Sequence, residues 1–342
     1  MNKRTFYVLG ILVILLTLSA GGGYAHHGES HKPGHGEETR HEEKPQGEKR
    51  HGEAHQGELT KIIVADTKTT HHLNLYVAKE LGLFEKHHLD VAIKDVADDE
   101  VAQDLVLSGG ADVFWSNPAL TITAVAAGQP IKSIAQSKNT CTSMLVVKKG
   151  SPVKTLADLN HKVIAATSPT CETFLALSAS ARENGSLIHA QKLDGTNALK
   201  ALEAGEVDGA ILEEPYLSIA ELQGYRPLFH SVTAGLSCCT INASERTLAS
   251  SAGALKHFIM AIDEANALID SNPIADDIVG IAAHYTNAPK EAIVHGNRRL
   301  SFASAIDKKG LNLLGDNLLK AGVIKKNPGD NLFAEAFKGI TW

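Results

Sequence analysis

The chain has 342 residues, a formal net charge of −6 and four cysteines. This acidic balance argues against nucleic acid as a partner, because phosphate backbones are bound mainly by lysine and arginine. From Leu59 onward the composition is that of an ordinary soluble protein, without a further apolar run that could span a membrane. About 280 residues exceed one comfortable hydrophobic core, so we expect two lobes.

The N-terminus has the features of a secretory signal peptide. Lys3 and Arg4 precede an apolar run over residues 6–18, and "GGGYA" offers small residues for cleavage before His26. The run is shorter than the roughly 20 residues that a spanning helix needs, although an uncleaved membrane anchor is the alternative. We therefore expect residues 1–25 to be removed on export to the bacterial periplasm, an oxidising compartment.

Residues 26–58 contain no aromatic or branched aliphatic side chain, so we predict that they are disordered. Seven histidines lie in this segment: His26, His27, His31, His35, His41, His51 and His55. Imidazole is the commonest metal ligand, and His-rich tracts collect Zn, Ni or Cu ions. The segment is predicted to scavenge metal, with a solvated linker as the alternative.

Strand-like runs alternate with helical patterns from residue 59 onward. The predicted strands are "KIIVAD", "LDVAIKDV", "ADVFW", "VIAAT", "HAQKL" and "GAILEE". The predicted helices are "HLNLYVAKELGLF", a segment around 100–108, "NPALTITAVAAG", a segment from about 171, and "NALKALEAG", before an almost wholly helical stretch after 244. This order predicts mostly parallel sheets, whose ligands bind in the loops beyond the carboxyl ends of the strands.

Several phrases in this region resemble ABC-transporter solute-binding proteins of the group for sulfonates, nitrate and thiamine pyrimidine precursors. They occur in the same order and include "LYVAKELGLFEKHHLDV", "LVLSGGADVFWSNPA", "AAGQPIKSIAQ" and "ALEAGEVDGAILEEPY". The resemblance implies an α/β type II periplasmic-binding-protein fold: two lobes, two mostly parallel sheets flanked by helices, and two crossover strands. Lobe 1 would comprise 59–147 plus 240–342, and lobe 2 would comprise 148–239.

The same resemblance implies partners for the protein. A small ligand would be held in the cleft between the lobes, and the closed form would dock on a membrane permease driven by an ATPase. We expect a monomer that needs no cofactor.

One branch of the group, the fungal-type pyrimidine-precursor synthases, is enzymatic. The chain resembles these proteins at His72 and in its cysteine pair at "SCCT". However, the positions of their cofactor lysine and substrate histidine correspond to Ser116 and Leu120 here, and without the lysine no Schiff base can form. We therefore predict that the protein is not an enzyme.

Six polar stretches lie beyond the carboxyl ends of the predicted strands, and together they contain all four cysteines. The candidate ligand-binding residues in them are His71, His72, Asn74, Trp115, Ser116, Asn117, Cys141, Ser168, Thr170, Cys171, Glu214, Cys238 and Cys239. Trp115 is either a stacking wall of the pocket or part of the lobe core. One of Glu213 and Glu214 is expected to face the cleft. Cys171 opens a helix, whose N-terminus would lower the pKa of its thiol.

If the four thiols meet in the cleft, the chemistry that they suit is soft-metal binding. The predicted metal ligands are Cys141, Cys171, Cys238, Cys239 and His72. Adjacent residues of an extended segment point to opposite faces, so Cys238 and Cys239 can both face the cleft only if a bulge turns them. The alternatives are a structural disulfide from Cys141 to Cys238 or Cys239, and buried, inert thiols.

The sequence thus predicts a periplasmic solute-binding protein for a thiophilic metal or organometal. An organic solute of the sulfonate, nitrate or pyrimidine type, bound beside a structural disulfide, is the first alternative. A metallochaperone or sensor that works without a transporter is the second.

Overall fold

The computed structural model of the protein describes residues 58–138, 141–230 and 238–334, together with Phe337. The predicted signal peptide and all but the last residue of the predicted His-rich segment lie outside the described residues. Among the helices that are described, none is both long enough and apolar enough to cross a membrane.

The first sheet is built from five strands: β1 (Thr60–Asp66), β2 (Leu89–Asp95), β3 (Val113–Ser116), β4 (Ile131–Lys138) and β10 (Cys239–Ser244). Their order is β2-β1-β3-β10-β4. β1 pairs in parallel with β2 and β3, whereas β10 runs antiparallel to both of its neighbours, β3 and β4. The sheet is therefore mostly parallel, as predicted, with one reversed strand.

The second sheet is built on the same plan from β5 (Met144–Val147), β6 (Val163–Ala166), β7 (His189–Lys192), β8 (Gly209–Leu212) and β9 (Arg226–His230). Their order is β7-β6-β8-β5-β9. β6 pairs in parallel with β7 and β8, and β5 is the reversed strand between β8 and β9. In each sheet the antiparallel strand is the first strand after the chain crosses over from the other sheet: β5 follows β4, and β10 follows β9.

The boundary between the lobes differs from the predicted one. We expected residues up to 147 to belong to lobe 1, but β5 lies in the second sheet. Its residues are apolar on both faces: Leu145 and Val147 pack into one core of this sheet, and Val146 packs into the core on the other face. Such a strand belongs in a sheet that is covered on both faces. The first crossing therefore lies between Lys138 and Met144.

Eight helices accompany the first sheet: α1 (Leu73–Glu80), α2 (Leu83–Lys86), α3 (Asp99–Ser108), α4 (Pro118–Ala126), α8 (Glu245–Ser271), α9 (Asp276–Thr286), α10 (Lys290–Asn297) and α11 (Lys308–Lys320). Their starts follow the local sequence. The Asn117 side chain caps α4 by accepting the Leu120 N–H at 3.2 Å, and Pro118 takes the first helical position. Gly82, two residues beyond the end of α1, has φ 68°, in the left-handed region that favours glycine.

Three helices accompany the second sheet: α5 (Glu172–Glu183), α6 (Gly195–Ala204) and α7 (Tyr216–Leu222). Short 3-10 turns lie at Thr70–His72, Leu156–Leu159 and Gly329–Leu332. α5 follows β6 and α6 follows β7, so the N-terminal ends of these helices lie where the parallel strands end. The loops at those ends carry most of the candidate site.

Candidate functional site

A cavity of about 440 Å³ is lined by the loops that follow β1, β2 and β3 in the first sheet and β6, β7 and β8 in the second. Seven of the predicted ligand-binding residues line it: His72, Asn117, Cys141, Ser168, Cys171, Cys238 and Cys239. The other six do not: His71, Asn74, Trp115, Ser116, Thr170 and Glu214. All four cysteines of the chain therefore meet at one cavity.

The thiol of Cys238 is the centre of a compact group of soft donor atoms. Its Sγ lies 3.9 Å from Cys239 Sγ and 3.7 Å from Nδ1 of His71. The ligand atoms of His71, Cys238 and Cys239 all lie within 4.8 Å of one another, and all four cysteines are free thiols. A small displacement would bring these three side chains to the distances of 2.0–2.3 Å that thiolate and imidazole need around a metal such as zinc.

Both members of the adjacent cysteine pair reach the cavity because the chain is irregular at this point. Cys238 precedes β10, and the register of β10 against β4 shifts between Cys239 and Thr240. A regular strand would send neighbouring side chains to opposite faces. The local irregularity is thus what allows two consecutive thiols to line the same cavity.

Cys141 reaches the cavity from the first crossing between the sheets, and Cys171 reaches it from the loop after β6. Cys141 Sγ lies 3.6 Å from Thr173 Oγ1, and a hydrogen bond with Cys238 together with burial raises the pKa of Cys141 well above its usual value. Cys171 is the N-cap of α5, yet burial raises the pKa of its thiol to about 12 against the opposing effect of the Phe174 N–H. The expectation of a lowered pKa at this helix end is therefore wrong, because burial outweighs the helix terminus.

His71 contacts the Cys238 thiol and forms an ion pair with Glu213. Its Nδ1 lies 3.1 Å from a Glu213 carboxylate oxygen. Burial and Lys138 disfavour the imidazolium, but Glu213 and Cys238 outweigh them and raise the pKa of His71 to about 9. The imidazole must therefore give up a proton before it can ligate a metal.

His72 is oriented by a carboxylate on the side away from the cavity. Its Nδ1 lies 2.6 Å from Asp66 Oδ1, and the Tyr76 hydroxyl donates to Asp66 Oδ2 at 2.7 Å. Burial disfavours the charged ring, but Asp66 outweighs it and raises the pKa of His72. A carboxylate on one ring nitrogen fixes the ring orientation and leaves Nε2 as the nitrogen for a ligand, an arrangement common behind metal-binding histidines.

Lys138 is a functional candidate that the sequence did not suggest. It is fully buried; its Nζ donates to Thr142 Oγ1 at 2.9 Å and lies 3.4 Å from His71 Nε2. Among the described residues no carboxylate forms an ion pair with it. A buried ammonium without a carboxylate partner is costly, unless negative charge forms nearby. Thiolates at Cys238 and Cys239 would provide that charge.

Trp115 lies in the core and not on the wall of the cavity, so the core alternative holds. Its Nε1 donates to Ser137 Oγ at 2.9 Å, and its ring meets Phe258 edge-on with 5.9 Å between centroids. Asn74 is likewise buried and donates to Ser137 and to Asn266. All four residues of β3 are buried, because helices cover both faces of this central strand.

The remaining polar candidates outside the cavity support other groups. The Ser116 hydroxyl lies 2.8 Å from that of Thr121, and the Thr170 hydroxyl lies 2.9 Å from that of Ser168. Of the two adjacent acids, Glu213 lines the cavity, whereas Glu214 is buried and accepts from Arg299 at 2.8 Å. Glu213 therefore replaces Glu214 as the acid that faces the cleft.

Acidic side chains outnumber basic ones in the lining, a feature that the sequence analysis missed. Six carboxyl groups face the cavity: Asp98, Asp99, Glu100, Glu172, Asp194 and Glu213. Among the described residues, Lys192 is the lysine that lines it, and its Nζ lies 3.1 Å from Asp98 and 3.0 Å from Glu100. Burial raises the pKa of Asp99 to about 6, although the Asn117 N–H opposes this. The run "DDE" after β2 is the signal that could have identified this wall.

Solved structures with the same fold are numerous, and we describe three. The alkanesulfonate-binding protein of Xanthomonas axonopodis pv. citri, bound to MOPS, has a TM-score of 0.70 at 18% identity, covering 79% of this chain and 96% of that one. The ligand-binding component of an ABC-type import system from Staphylococcus aureus, with zinc bound, has a TM-score of 0.70 at 16% identity, covering 82% and 99%. An enzyme, the desulfurization enzyme DSZB, has a TM-score of 0.59 at 12% identity, covering 81% and 97%.

These likenesses show the two-lobed fold of periplasmic binding proteins, as the sequence predicted. No curated protein matches the chain in sequence. The family model described as NMT1/THI5 like matches residues 69–275, which include every cysteine and all strands of the two sheets except β1. The chain belongs to the NMT1/THI5-like family.

Proposed function

We propose that the protein is the solute-binding component of an ABC importer, which captures a small ligand in the cleft and carries it to a permease and its ATPase. Family membership supports this, together with fold neighbours that are themselves binding proteins for transport. The protein acts as a monomer in the periplasm after removal of residues 1–25. It performs no chemistry on the ligand.

The ligand that the site suits best is a thiophilic metal or organometal. One observation carries this proposal: four cysteines from three separate parts of the chain line the same cavity. Thiolates select soft metals over hard ones, and the imidazole of His71 adds a borderline donor. Inert thiols would have no reason to gather at a cavity that six carboxyl groups make polar.

A synthase-like enzyme remains the weaker alternative. Leu120 cannot donate a nitrogen, and Ser116 is hydrogen-bonded to Thr121 away from the cavity. Lys192, the lysine among the lining residues, is engaged by Asp98 and Glu100. A carbonyl cofactor therefore meets no available amine on the cavity wall.

The proposal is tested by purifying the full chain without oxygen, counting its thiols, and measuring bound metal after exposure to Cu(I), Zn(II) or Hg(II). We expect four reactive thiols and at least one metal equivalent that disappears when Cys238 and Cys239 are both changed to serine. Metal held by the histidines outside the described residues would persist in this variant, so the difference reports on the cleft.

Met260→Leu is the matched control, because it removes a sulfur that is 43% exposed on α8. If the wild type has four free thiols and binds no more metal than the Cys238→Ser/Cys239→Ser variant, metal binding in the cleft is refuted. Two thiols and a reducible bridge would favour the structural disulfide and an organic ligand.

A further inference from the structure

The two sheets place thiols at the same end of the cavity. Cys238 and Cys239 lie at the start of β10, the fourth strand in the order β2-β1-β3-β10-β4. Cys141 precedes β5, which is the fourth strand in the order β7-β6-β8-β5-β9. A hydrogen bond between the side chains of Cys141 and Cys238 joins these two positions across the cleft. We call this part of the cavity the thiol end.

The opposite end of the cavity, which we call the far end, lies three strands away in each sheet. The loops after β2 and β7, the first strands in the two orders, line it with Ala97 and Leu193. Lys192 at the end of β7 pairs with Asp98 and Glu100 after β2, so these two loops also meet across the cleft. Three strand spacings separate the thiol end from the far end by about 14 Å.

This length is more than a bare metal ion needs. Thiolate and imidazole bind a metal such as zinc at about 2.0–2.3 Å, so an ion held by Cys238 and Cys239 stays at the thiol end. The cavity has a volume of about 440 Å³, and cavities of this size are typical of sites for small organic molecules. The remaining space is therefore available to an organic part of the ligand.

The charged side chains at the far end already have partners in the protein. Lys192 Nζ lies 3.1 Å from Asp98 and 3.0 Å from Glu100. Asp194 caps α6 by accepting the Asn197 N–H at 2.9 Å. A charged group of a ligand would have to break these contacts or stay without a partner, and an unpaired buried charge is costly. The far end therefore suits a neutral group.

Apolar side chains at the far end offer contacts to such a group. Leu193 and Tyr216 line the cavity from the second lobe, and Ala97 lines it from the first. The Tyr216 ring packs on Gly195, where an added Cβ would overlap the ring. The Thr196 hydroxyl donates to the Tyr216 hydroxyl at 3.2 Å. These contacts hold the Tyr216 ring in place as a wall of the cavity.

We propose that the ligand is an elongated organometal, whose metal binds the thiols and whose neutral, aryl-sized substituent extends along the cleft to Ala97 and Leu193. The inference rests on the proposed function, since it assumes that the cysteines bind the metal. A bare ion would leave the far end to water. Contact of the substituent with Leu193 and Tyr216 removes apolar surface from water and so adds affinity.

The proposal is tested with phenylmercury and methylmercury, two cations that present the same metal with substituents of different size. The affinity of the full chain for each is measured without oxygen, by competition with 2-mercaptoethanol. We expect the protein to prefer phenylmercury by about ten-fold, because a phenyl ring buries more apolar area than a methyl group. Competition with a small thiol removes the difference in mercury–sulfur bond strength between the two compounds.

Ala97→Trp fills the far end and leaves the thiols in place. It should bring the preference close to one by weakening phenylmercury binding, while methylmercury affinity and the melting temperature stay those of the wild type. Leu193→Ala removes apolar contact without adding volume and should lower the preference in the same direction. Ala157→Trp, exposed on the 3-10 turn of the second lobe, is the matched control and should keep the wild-type preference.

A wild-type preference near one overturns the aryl-sized substituent. A preference that Ala97→Trp and Leu193→Ala both leave unchanged overturns its position at the far end.

The variant Cys238→Ser/Cys239→Ser separates this inference from the proposed function. Affinity for both mercury compounds should fall in this variant. If it does not fall, the proposed metal capture by these thiols fails. If it falls but the wild type binds the two compounds equally well, metal capture stands and only the elongated ligand is overturned.

Discussion

At the scale of single residues, Lys138 is the side chain with the most direct influence on the thiols. It is fully buried and lies against His71 and Thr142. We expect Lys138→Met to leave the stability of the metal-free protein unchanged or raised by about 1–4 kcal/mol, because a buried charge is removed. The same change should weaken metal binding by about 10–100-fold, because thiolates lose their nearby positive charge.

The measurement is a competition titration with a chelator, accompanied by urea denaturation of the metal-free protein. Lys132→Met, on the same strand but outside the cavity, is the matched control and should bind metal as the wild type does. Equal metal affinity in Lys138→Met and the wild type would show that Lys138 is only structural.

The thiols also predict how metal binding depends on pH. The pKa of Cys171 is raised to about 12 by burial, so the thiol is protonated at neutral pH. A metal that takes it as thiolate must displace one proton, so affinity should rise with pH by up to about ten-fold per unit for each ligating thiol. Isothermal titration in buffers of different ionisation enthalpy counts the released protons. An affinity that stays flat between pH 6 and 8 would argue against thiolate ligation.

At the scale of elements, sequence patterns predicted the strands and helices whose signal is local. "KIIVAD" became β1 and "NPALTITAVAAG" became α4, because alternation, caps and proline act within a few residues. β4 was not predicted: "IKSIAQSK" mixes polar and apolar residues, and all but one of its residues are buried only because β10 and the C-terminal helices cover it. Long-range packing of that kind leaves no local pattern.

The candidate site was predictable to the same extent. Cysteine is rare in this chain, so its positions after strands pointed to the cavity without any knowledge of distances. Glu172 and Lys138 carry ordinary local patterns. Only the assembled lobes show that Glu172 Oε2 is buried without a hydrogen bond and that Lys138 is buried beside His71 and Thr142. Trp115 lies in the core and not on the cavity wall because helices cover both faces of β3. The sequence of β3 alone does not show which faces of the sheet are covered.

The close contact between α7 and α10 predicts that a larger side chain at Gly296 destabilises the protein. A Cβ on Gly296 would lie 2.5 Å from Glu214 Oε2 and 3.1 Å from Ser218 Oγ. Glu214 cannot move away freely, because it is buried and paired with Arg299. We therefore expect Gly296→Ala to destabilise the protein by about 1–3 kcal/mol, since overpacking displaces a buried ion pair.

Gly280→Ala is the matched control. Gly280 lies in the interior of α9, and nothing lies within 4 Å of the added Cβ. That change should stabilise the protein by about 0.4–1 kcal/mol through lower backbone entropy of the unfolded chain. Urea denaturation monitors both variants. The idea of a tight α7–α10 contact fails if Gly296→Ala is as stable as Gly280→Ala.

At the scale of the whole molecule, charge pairs connect the two lobes around the cavity. His71 of the first lobe pairs with Glu213 of the second at 3.1 Å, and Lys192 of the second pairs with Asp98 and Glu100 of the first. Arg299 of the first lobe also pairs with Glu214 and Glu221 of the second, and two crossings link the sheets. The closed arrangement should therefore depend on the ionisation of these groups.

The His71–Glu213 pair sets the direction of that dependence. The pKa of His71 rises from 6.5 to about 9, so its contribution is complete below pH 6.5 and is lost as the pH rises through about 9. The pKa of Glu213 falls from 4.5 to about 2, so its contribution is complete above pH 4.5 and is lost as the pH falls through about 2. The pair therefore favours closure most strongly between about pH 4.5 and 6.5.

We expect the radius of gyration of the metal-free protein, measured by small-angle X-ray scattering, to increase between pH 7 and 10 as His71 loses its proton. Glu213→Gln should be open already at pH 7 and should show a flatter pH dependence, because His71 then has no carboxylate partner. Glu206→Gln, exposed in the loop before β8, leaves the pair intact and should follow the wild type. If Glu213→Gln keeps the radius and pH profile of the wild type, the other contacts between the lobes, and not the His71–Glu213 pair, determine the distance between them.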